Sequence, residues 1–221
     1  MKKPTTFLKN LWDPLLLGLI FFLVFVIAIL PYEWHDVLYS VAYTLLFITC
    51  TMTLGKHRWK FLFLVLAAIS MEWISTIYSL TILETISVLL NFLFFAFMTG
   101  FFIHQVAVAK QVTVKVIISA IIGYLLLGLI FSILVGVLAQ INSGMFNVSP
   151  AAGDNIGGNF SEYLYYGFVT LTTLGYGDIV PLQASSRSLS ILISVTGQLY
   201  LAIIIALLVG KYASQRTSHT K

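Results

Sequence analysis

The sequence contains few charged residues and a single cysteine. Asp, Glu, Lys and Arg make up 9% of its 221 residues, and 59% are apolar, whereas about a quarter of the residues in ordinary soluble domains are charged. This composition excludes a disordered chain and a nucleic-acid-binding domain, and it indicates lipid as the surrounding solvent. The lone Cys50 cannot form an intrachain disulfide, so a secreted disulfide scaffold is excluded as well.

Six apolar runs are long enough to cross a bilayer as helices, since a span needs roughly 20 residues to cover about 30 Å of hydrocarbon. They comprise residues 11–30, 37–54, 59–78, 82–108, 114–140 and 187–210. The first run is long for a signal sequence and lacks a cleavage pattern, so we expect it to be retained. The sequence therefore predicts an all-α membrane protein with six transmembrane helices.

The basic residues predict the orientation of these helices. When both termini are placed in the cytoplasm, every Lys and Arg except Arg187 falls on the inner side, as the positive-inside rule requires. The acidic residues assigned to the outer side are Glu33, Asp36, Glu84, Asp154, Glu162 and Asp178. We expect a multi-pass protein of the inner or plasma membrane with both termini cytoplasmic.

The segment between the fifth and sixth runs differs from a simple loop. Residues 141–159 are rich in Gly, Asn and Ser, and residues 160–172 are then apolar and aromatic again. Because this second stretch is too short to span the bilayer, it predicts a re-entrant half-helix. The irregular backbone after such a helix must be buried in protein or line water.

The half-helix leads into the sequence TLTTLGYGD, residues 170–178. This motif resembles the signature of the potassium-channel family, a family of pore-loop cation channels, with Leu174 at a position where valine is commonest. The resemblance implies that the backbone carbonyls of four residues, together with one hydroxyl, form a selectivity filter for potassium. These carbonyls belong to Thr173, Leu174, Gly175 and Tyr176, the hydroxyl is that of Thr173, and Gly177 completes the filter.

The resemblance also implies an assembly and a set of supporting residues. One chain supplies a quarter of each carbonyl ring, so a homotetramer is expected. Thr172 and Asp178 flank the filter, and Val169 replaces a glutamate that in some family members pairs with the aspartate. Tyr165 and Tyr166 lie where the family braces the filter tyrosine; simple packing at the membrane interface is the alternative interpretation.

Two further positions are candidate gating residues. Gly197 follows the filter at the distance of the family's inner-helix hinge, and close packing of a small residue is the alternative. Glu72 is an acidic residue inside a predicted span, where an ionisable group indicates function by default. Its side chain either senses protons, or lies nearer the interface, or forms a structural hydrogen bond to threonines such as Thr49, Thr51 or Thr53.

The predicted domains are a peripheral four-helix domain over residues 1–110, a pore domain over 111–210 and a short cytoplasmic tail over 211–221. The six-helix order resembles that of voltage-gated channels, but residues 82–108 contain no Arg or Lys. Because sensor arginines supply the gating energy in that architecture, strong voltage gating is not expected. Residues 211–221 are too few for a cytosolic ligand-binding domain, so we expect control by a separate regulatory protein, the bilayer, pH or the filter itself.

These observations predict a homotetrameric, potassium-selective channel in the lipid bilayer, and not an enzyme. It needs no cofactor beyond the permeant potassium ion and binds no nucleic acid. Two alternatives stay open: a non-conducting or regulatory membrane subunit, and a potassium-transporter subunit. Transporters of that kind usually carry four degenerate loops in one chain, whereas this chain has a single loop.

Overall fold

The computed structural model describes residues 11–54, 65–66, 69–70, 73–74, 81–148 and 156–218. Six α-helices are assigned there, α1 to α6 in chain order. Their bounds are Trp12–Phe21, His35–Thr53, Thr81–Val108, Val114–Ile141, Ile156–Leu171 and Ala184–Ser218. Helix α1 continues as a π-helical segment, Phe22–Val26, and a 3-10 turn, Ile27–Ile29. In this part of the chain the only bridge between extended segments joins Phe146 and Pro181.

Among the described residues, four helical segments are long and apolar enough to cross a membrane. They are Trp12–Ile29, Ile86–Val108, Val114–Ile141 and Ala184–Gln215. The second predicted run forms a shorter apolar helix, Val37–Thr53. The third, residues 59–78, lies largely outside the described residues, as does Glu72. The all-α membrane class is therefore confirmed, while the number of six spans stays a prediction.

The chain divides into two compact units, Met1–Met98 and Thr99–Lys221. In the first unit α1 packs on α2 through buried leucine and isoleucine side chains. The buried ring of Phe47 stacks on Phe95 with centroids 5.4 Å apart. The hydroxyls of Thr49, Thr51 and Thr53 donate to carbonyls of their own helix. Hydrogen-bonded in this way, they already have acceptors within α2.

The second unit is built from α4, α5 and α6, which pack on one another. Helix α4 begins at Thr113, whose hydroxyl accepts from the amide of Val116 at 3.4 Å, as an N-cap residue does. Close approach of α4 and α5 depends on Gly128, because a β-carbon there would lie 2.5 Å from a ring carbon of Phe168. Near the middle of α6, the buried hydroxyl of Tyr200 donates to the carbonyl of Ala120 at 2.6 Å.

Candidate functional site

The motif begins where α5 ends, and its first residues close the last turn of that helix. The amides of Thr172, Thr173 and Leu174 donate to carbonyls of residues 168–170 at 2.9 to 3.0 Å. The Thr172 hydroxyl also donates to the Phe168 carbonyl at 2.8 Å. Helix ends leave carbonyls without helical partners, and here the motif itself supplies the donors. The chain is thereby turned sharply out of α5 at a defined point.

Every second residue of the motif adopts a left-handed backbone conformation. The φ angles are 58° at Thr173, 54° at Gly175 and 82° at Gly177. Glycine reaches such angles without a steric penalty, but threonine rarely does. Positive φ angles thus recur at every second residue from 173 to 177, and Leu174 and Tyr176 between them do not have positive φ. Such angles are ordinary for the two glycines, whereas the left-handed Thr173 is seen only in the structure.

Residues 172–178 are exposed in the single chain. The exposed fraction reaches 55% at Leu174 and 70% at Tyr176. Apolar and aromatic side chains of this size are usually covered by protein or lipid. The motif is thus held at its ends by its own chain, while its outer surface is left for other contacts.

Two polar side chains of α6 contact the start of the motif. The hydroxyl of Ser194 donates to the Thr170 carbonyl at 3.2 Å. One turn later, the amide nitrogen of Gln198 donates to the Thr173 hydroxyl at 3.1 Å. Sequence reasoning did not identify Gln198. The available signal was an amide side chain inside an otherwise apolar stretch of α6, directly after Gly197.

Gly197 packs against the end of α5. A β-carbon at this position would overlap the Leu171 carbonyl oxygen and would lie 2.9 Å from the Leu171 Cδ1 atom. Helix α6 is continuous through the glycine. The structure thus contains the close packing that was the alternative interpretation of Gly197, and the hinge stays a prediction.

Asp178, at the other end of the motif, is held by α5. The Tyr165 hydroxyl donates a short hydrogen bond to one carboxylate oxygen, and the Ile179 amide donates to the other at 3.0 Å. The hydrogen bond from Tyr165 lowers the pKa of Asp178 below its ordinary value. The same bond raises the pKa of Tyr165 to about 12. Tyr165 of α5 is therefore the side-chain partner of Asp178. Val169 has no carboxyl group and cannot pair with the aspartate.

Tyr166 joins α5 to α6. Its hydroxyl lies 2.5 Å from the Ser190 hydroxyl, and its buried ring packs edge-on against Phe146 at a centroid distance of 5.0 Å. The neighbouring Glu162 is partly buried, and this burial, together with the charge of Asp178, raises the pKa of Glu162. Two carboxyl groups of unlike pKa thus lie at the same end of the site.

The segment after the motif is clamped to the loop after α4. The amide of Asn147 donates to the Val180 carbonyl at 3.0 Å, and the amide of Leu182 donates to the Met145 carbonyl at 2.9 Å. The buried Ser186 hydroxyl donates to the same Met145 carbonyl at 2.7 Å. These bonds fix the return path of the chain from the motif into α6.

The site contains no metal-ligand cluster of the usual kind. Among the residues that the structure describes, no group of three or more His, Cys, Asp or Glu side chains converges. The oxygen atoms that the motif presents are backbone carbonyls and the Thr173 hydroxyl. Such neutral oxygens suit a weakly held monovalent cation better than a tightly bound divalent one.

The part of the chain that contains the site is similar to a known family. Residues 113–213 match a family model described as "Ion channel". The matched segment begins at the N-cap of α4, contains all of α5 and the motif, and ends within α6. No curated protein matches the chain, and no solved structure does.

Proposed function

We propose that the chain, whose residues 113–213 match the ion-channel family model, forms a homotetrameric, potassium-selective channel of the pore-loop potassium-channel family. Potassium would move passively through the motif TLGYG, residues 173–177, which acts as the selectivity filter. Thr173, Leu174, Gly175 and Tyr176 would bind the ion through their carbonyl oxygens. No cofactor takes part beyond the permeant ion.

The alternating backbone is the observation that carries this proposal. Left-handed conformations at residues 173, 175 and 177 allow consecutive carbonyls to face one axis. A potassium ion that enters a narrow pore loses its water and needs such oxygens on all sides. A tight turn does not require three left-handed residues at a period of two, so this geometry favours ion coordination over a structural turn.

The exposure of the motif supports the tetramer. In one chain the filter residues are uncovered, and one chain supplies only a quarter of each oxygen ring. Three further copies would complete the rings and cover Leu174 and Tyr176. In that arrangement α5 is the re-entrant pore helix, α4 the outer helix and α6 the inner helix of each subunit.

The remaining parts of the proposal concern orientation and control. We place both termini in the cytoplasm and the protein in the inner or plasma membrane, with residues 1–110 as a peripheral domain. Helix α3 contains no Arg or Lys, so its movement would carry little gating charge. We therefore expect opening of the channel to depend weakly on voltage. Lipid, protons or a separate regulatory protein would control it instead.

Potassium flux into liposomes that contain only the purified protein tests the function. We expect barium-sensitive potassium flux and much smaller sodium flux, because barium fits the same oxygen sites but leaves slowly. Gly177→Ala should abolish the flux, since φ of 82° is strained for alanine. Gly100→Ala is the matched control, because a β-carbon there meets no atom within 4 Å.

The outcomes separate the alternatives. Equal sodium and potassium flux would contradict the selectivity. Absence of flux in both ions, from protein that is tetrameric in detergent, would favour the non-conducting subunit. A transporter subunit would instead show flux that saturates at low potassium and depends on a second ion.

A further inference from the structure

Gln198 is an amide placed among apolar residues of a membrane-crossing helix. Its neighbours on α6 include the exposed apolar residues Val195, Leu199 and Leu201. The side chain reaches the motif, where Nε2 donates to the Thr173 hydroxyl at 3.1 Å. A polar group at this depth is costly unless it meets water or a polar partner. Gln198 has such a partner in the filter itself.

We propose that Gln198 lowers the affinity of the innermost cation site by donating a hydrogen bond to the Thr173 hydroxyl. The proposal rests on the proposed function, since it takes this hydroxyl as a ligand of the permeant ion. Gln198 is then a positioning residue, which acts on the ion through Thr173. Four copies in the tetramer would form a ring of amides directly below the filter.

The chemistry of the hydroxyl explains the direction of the effect. A threonine hydroxyl carries two lone pairs and one proton. The Gln198 amide occupies one lone pair, so one remains for a cation, and the partly positive amide hydrogen faces the same oxygen. Both effects weaken cation binding at Thr173. A conducting site must release its ion readily, and a weakened innermost site serves that purpose.

The backbone of Thr173 and the adjoining part of α6 are both held in place, which keeps the Thr173 hydroxyl within reach of Gln198. Its amide is engaged with the Thr170 carbonyl at 3.0 Å, and its φ is 58°. On the other side, Gly197 packs against Leu171 and Ser194 bonds to Thr170. Gln198 therefore extends from a part of α6 that is held against the end of α5, and a shift of α6 changes its reach to the filter.

Calorimetry tests the proposal by measuring the barium affinity of the purified protein in lipid nanodiscs. Gln198→Met has nearly the same length but no donor, and we expect it to tighten barium binding about three- to tenfold, the value of one modest hydrogen bond. Gln198→Glu also lacks the donor and should tighten binding further. Leu199→Met is the matched control and should bind barium as the wild type does.

Coupling to Thr173 separates this role from a general effect on the cavity. In a Thr173→Ser background, which keeps the hydroxyl, Gln198→Met should still tighten binding. In a Thr173→Ala background it should have no effect. An unchanged affinity in Gln198→Met, or an equal effect with and without the hydroxyl, would overturn the proposal.

The binding assay also distinguishes failure of this proposal from failure of the channel function. Barium binding that tightens in Gln198→Met, in protein that conducts no potassium, would support the role of Gln198 and contradict conduction. Potassium flux with barium affinity indifferent to Gln198 would do the reverse. Protein that binds no barium in any variant would overturn both.

Discussion

Gly197 of α6 lies so close to Leu171 of α5 that a β-carbon at residue 197 would overlap the Leu171 carbonyl oxygen. Leu171 is fully buried and ends the helix that carries the motif. A substitution at Gly197 therefore changes the position of α5 as well as the ease of bending α6. A shift of open probability in such a variant would not by itself demonstrate a hinge.

Gly197→Ala should destabilise the protein by about 1–3 kcal/mol, because the obstructing atom belongs to the backbone and cannot rotate away. Gly210→Ala, in the same helix, should stabilise it by about 0.5–1 kcal/mol, since a β-carbon there meets no atom within 4 Å. Thermal unfolding of both purified variants measures the difference. Equal melting temperatures would show that α5 can move aside at no cost.

Tyr165→Phe should weaken the C-terminal end of the motif, which we propose as the selectivity filter. It removes the hydroxyl that donates to Asp178 and leaves the carboxylate with the amide of Ile179. We expect potassium flux to decay faster after its onset, by a few fold, because exposed hydrogen bonds contribute modestly. The measurement is the time course of flux in liposomes.

Tyr163→Phe is the control for this substitution. Tyr163 lies on the same helix, and its ring carbons pack against Gly136, so removal of its hydroxyl should leave the time course unchanged. A similar acceleration in both variants would trace the effect to α5 as a whole. It would not support a specific role for the bond to Asp178.

Glu162 and Asp178 should give stability a pH dependence of two opposite signs. Burial raises the pKa of Glu162 above its ordinary 4.5. Its contribution to the free energy of unfolding is therefore full below pH 4.5 and is lost as the pH rises through the raised pKa. The pKa of Asp178 is lowered from 3.8. Its contribution is present above 3.8 and is lost as the pH falls through the lowered pKa.

Acidification from neutral pH should therefore first raise the melting temperature, by about 1–3 °C for one partly exposed group. Further acidification below 3.8 should lower it. Glu162→Gln should remove the first phase and should make the protein more stable at neutral pH. Persistence of the rise in Glu162→Gln would assign it to another group.

The sequence predicted the elements around the site well, because each has a strong local signal. Long apolar runs predicted α4 and α6, and a short apolar stretch beside glycines predicted α5. The run 37–54 also coincides with a helix, since α2 is apolar over Val37–Thr53. A turn at Tyr32–Trp34 and the contact of His35 with the Leu30 carbonyl precede that run and were not predicted.

The contacts that organise the site were harder to predict, because they join residues distant in the chain. Val169 suggested that Asp178 would lack a carboxylate partner, and a tyrosine 13 residues before the aspartate supplies the hydrogen bond. Gln198 meets a hydroxyl 25 residues away. The left-handed Thr173 is a backbone state that its side chain disfavours. None of these features follows from a local pattern in the sequence.

Lys211 of α6 holds the end of α3, and its removal should loosen that end. Its ammonium group donates to the carbonyls of Val106 and Ala107, each at 2.7 Å. These carbonyls lie in the last turn of α3, where a cation satisfies unpaired acceptors and the helix dipole together. We expect Lys211→Met to cost about 0.5–1.5 kcal/mol.

Hydrogen exchange in lipid nanodiscs is the measurement for this contact. Amides of residues 103–113 should exchange faster in Lys211→Met, because the last turn of α3 and its connection to α4 lose their anchor on α6. Lys110→Met, a change at an exposed position within the connection, removes a nearby charge without touching this contact. Faster exchange in Lys211→Met alone would establish the contact as a mechanical link between α3 and the C-terminal end of α6. Equal exchange in the two variants would mean that the Lys211 hydrogen bonds do not stabilise the end of α3. Motion of α3 would then reach α6 only through α4.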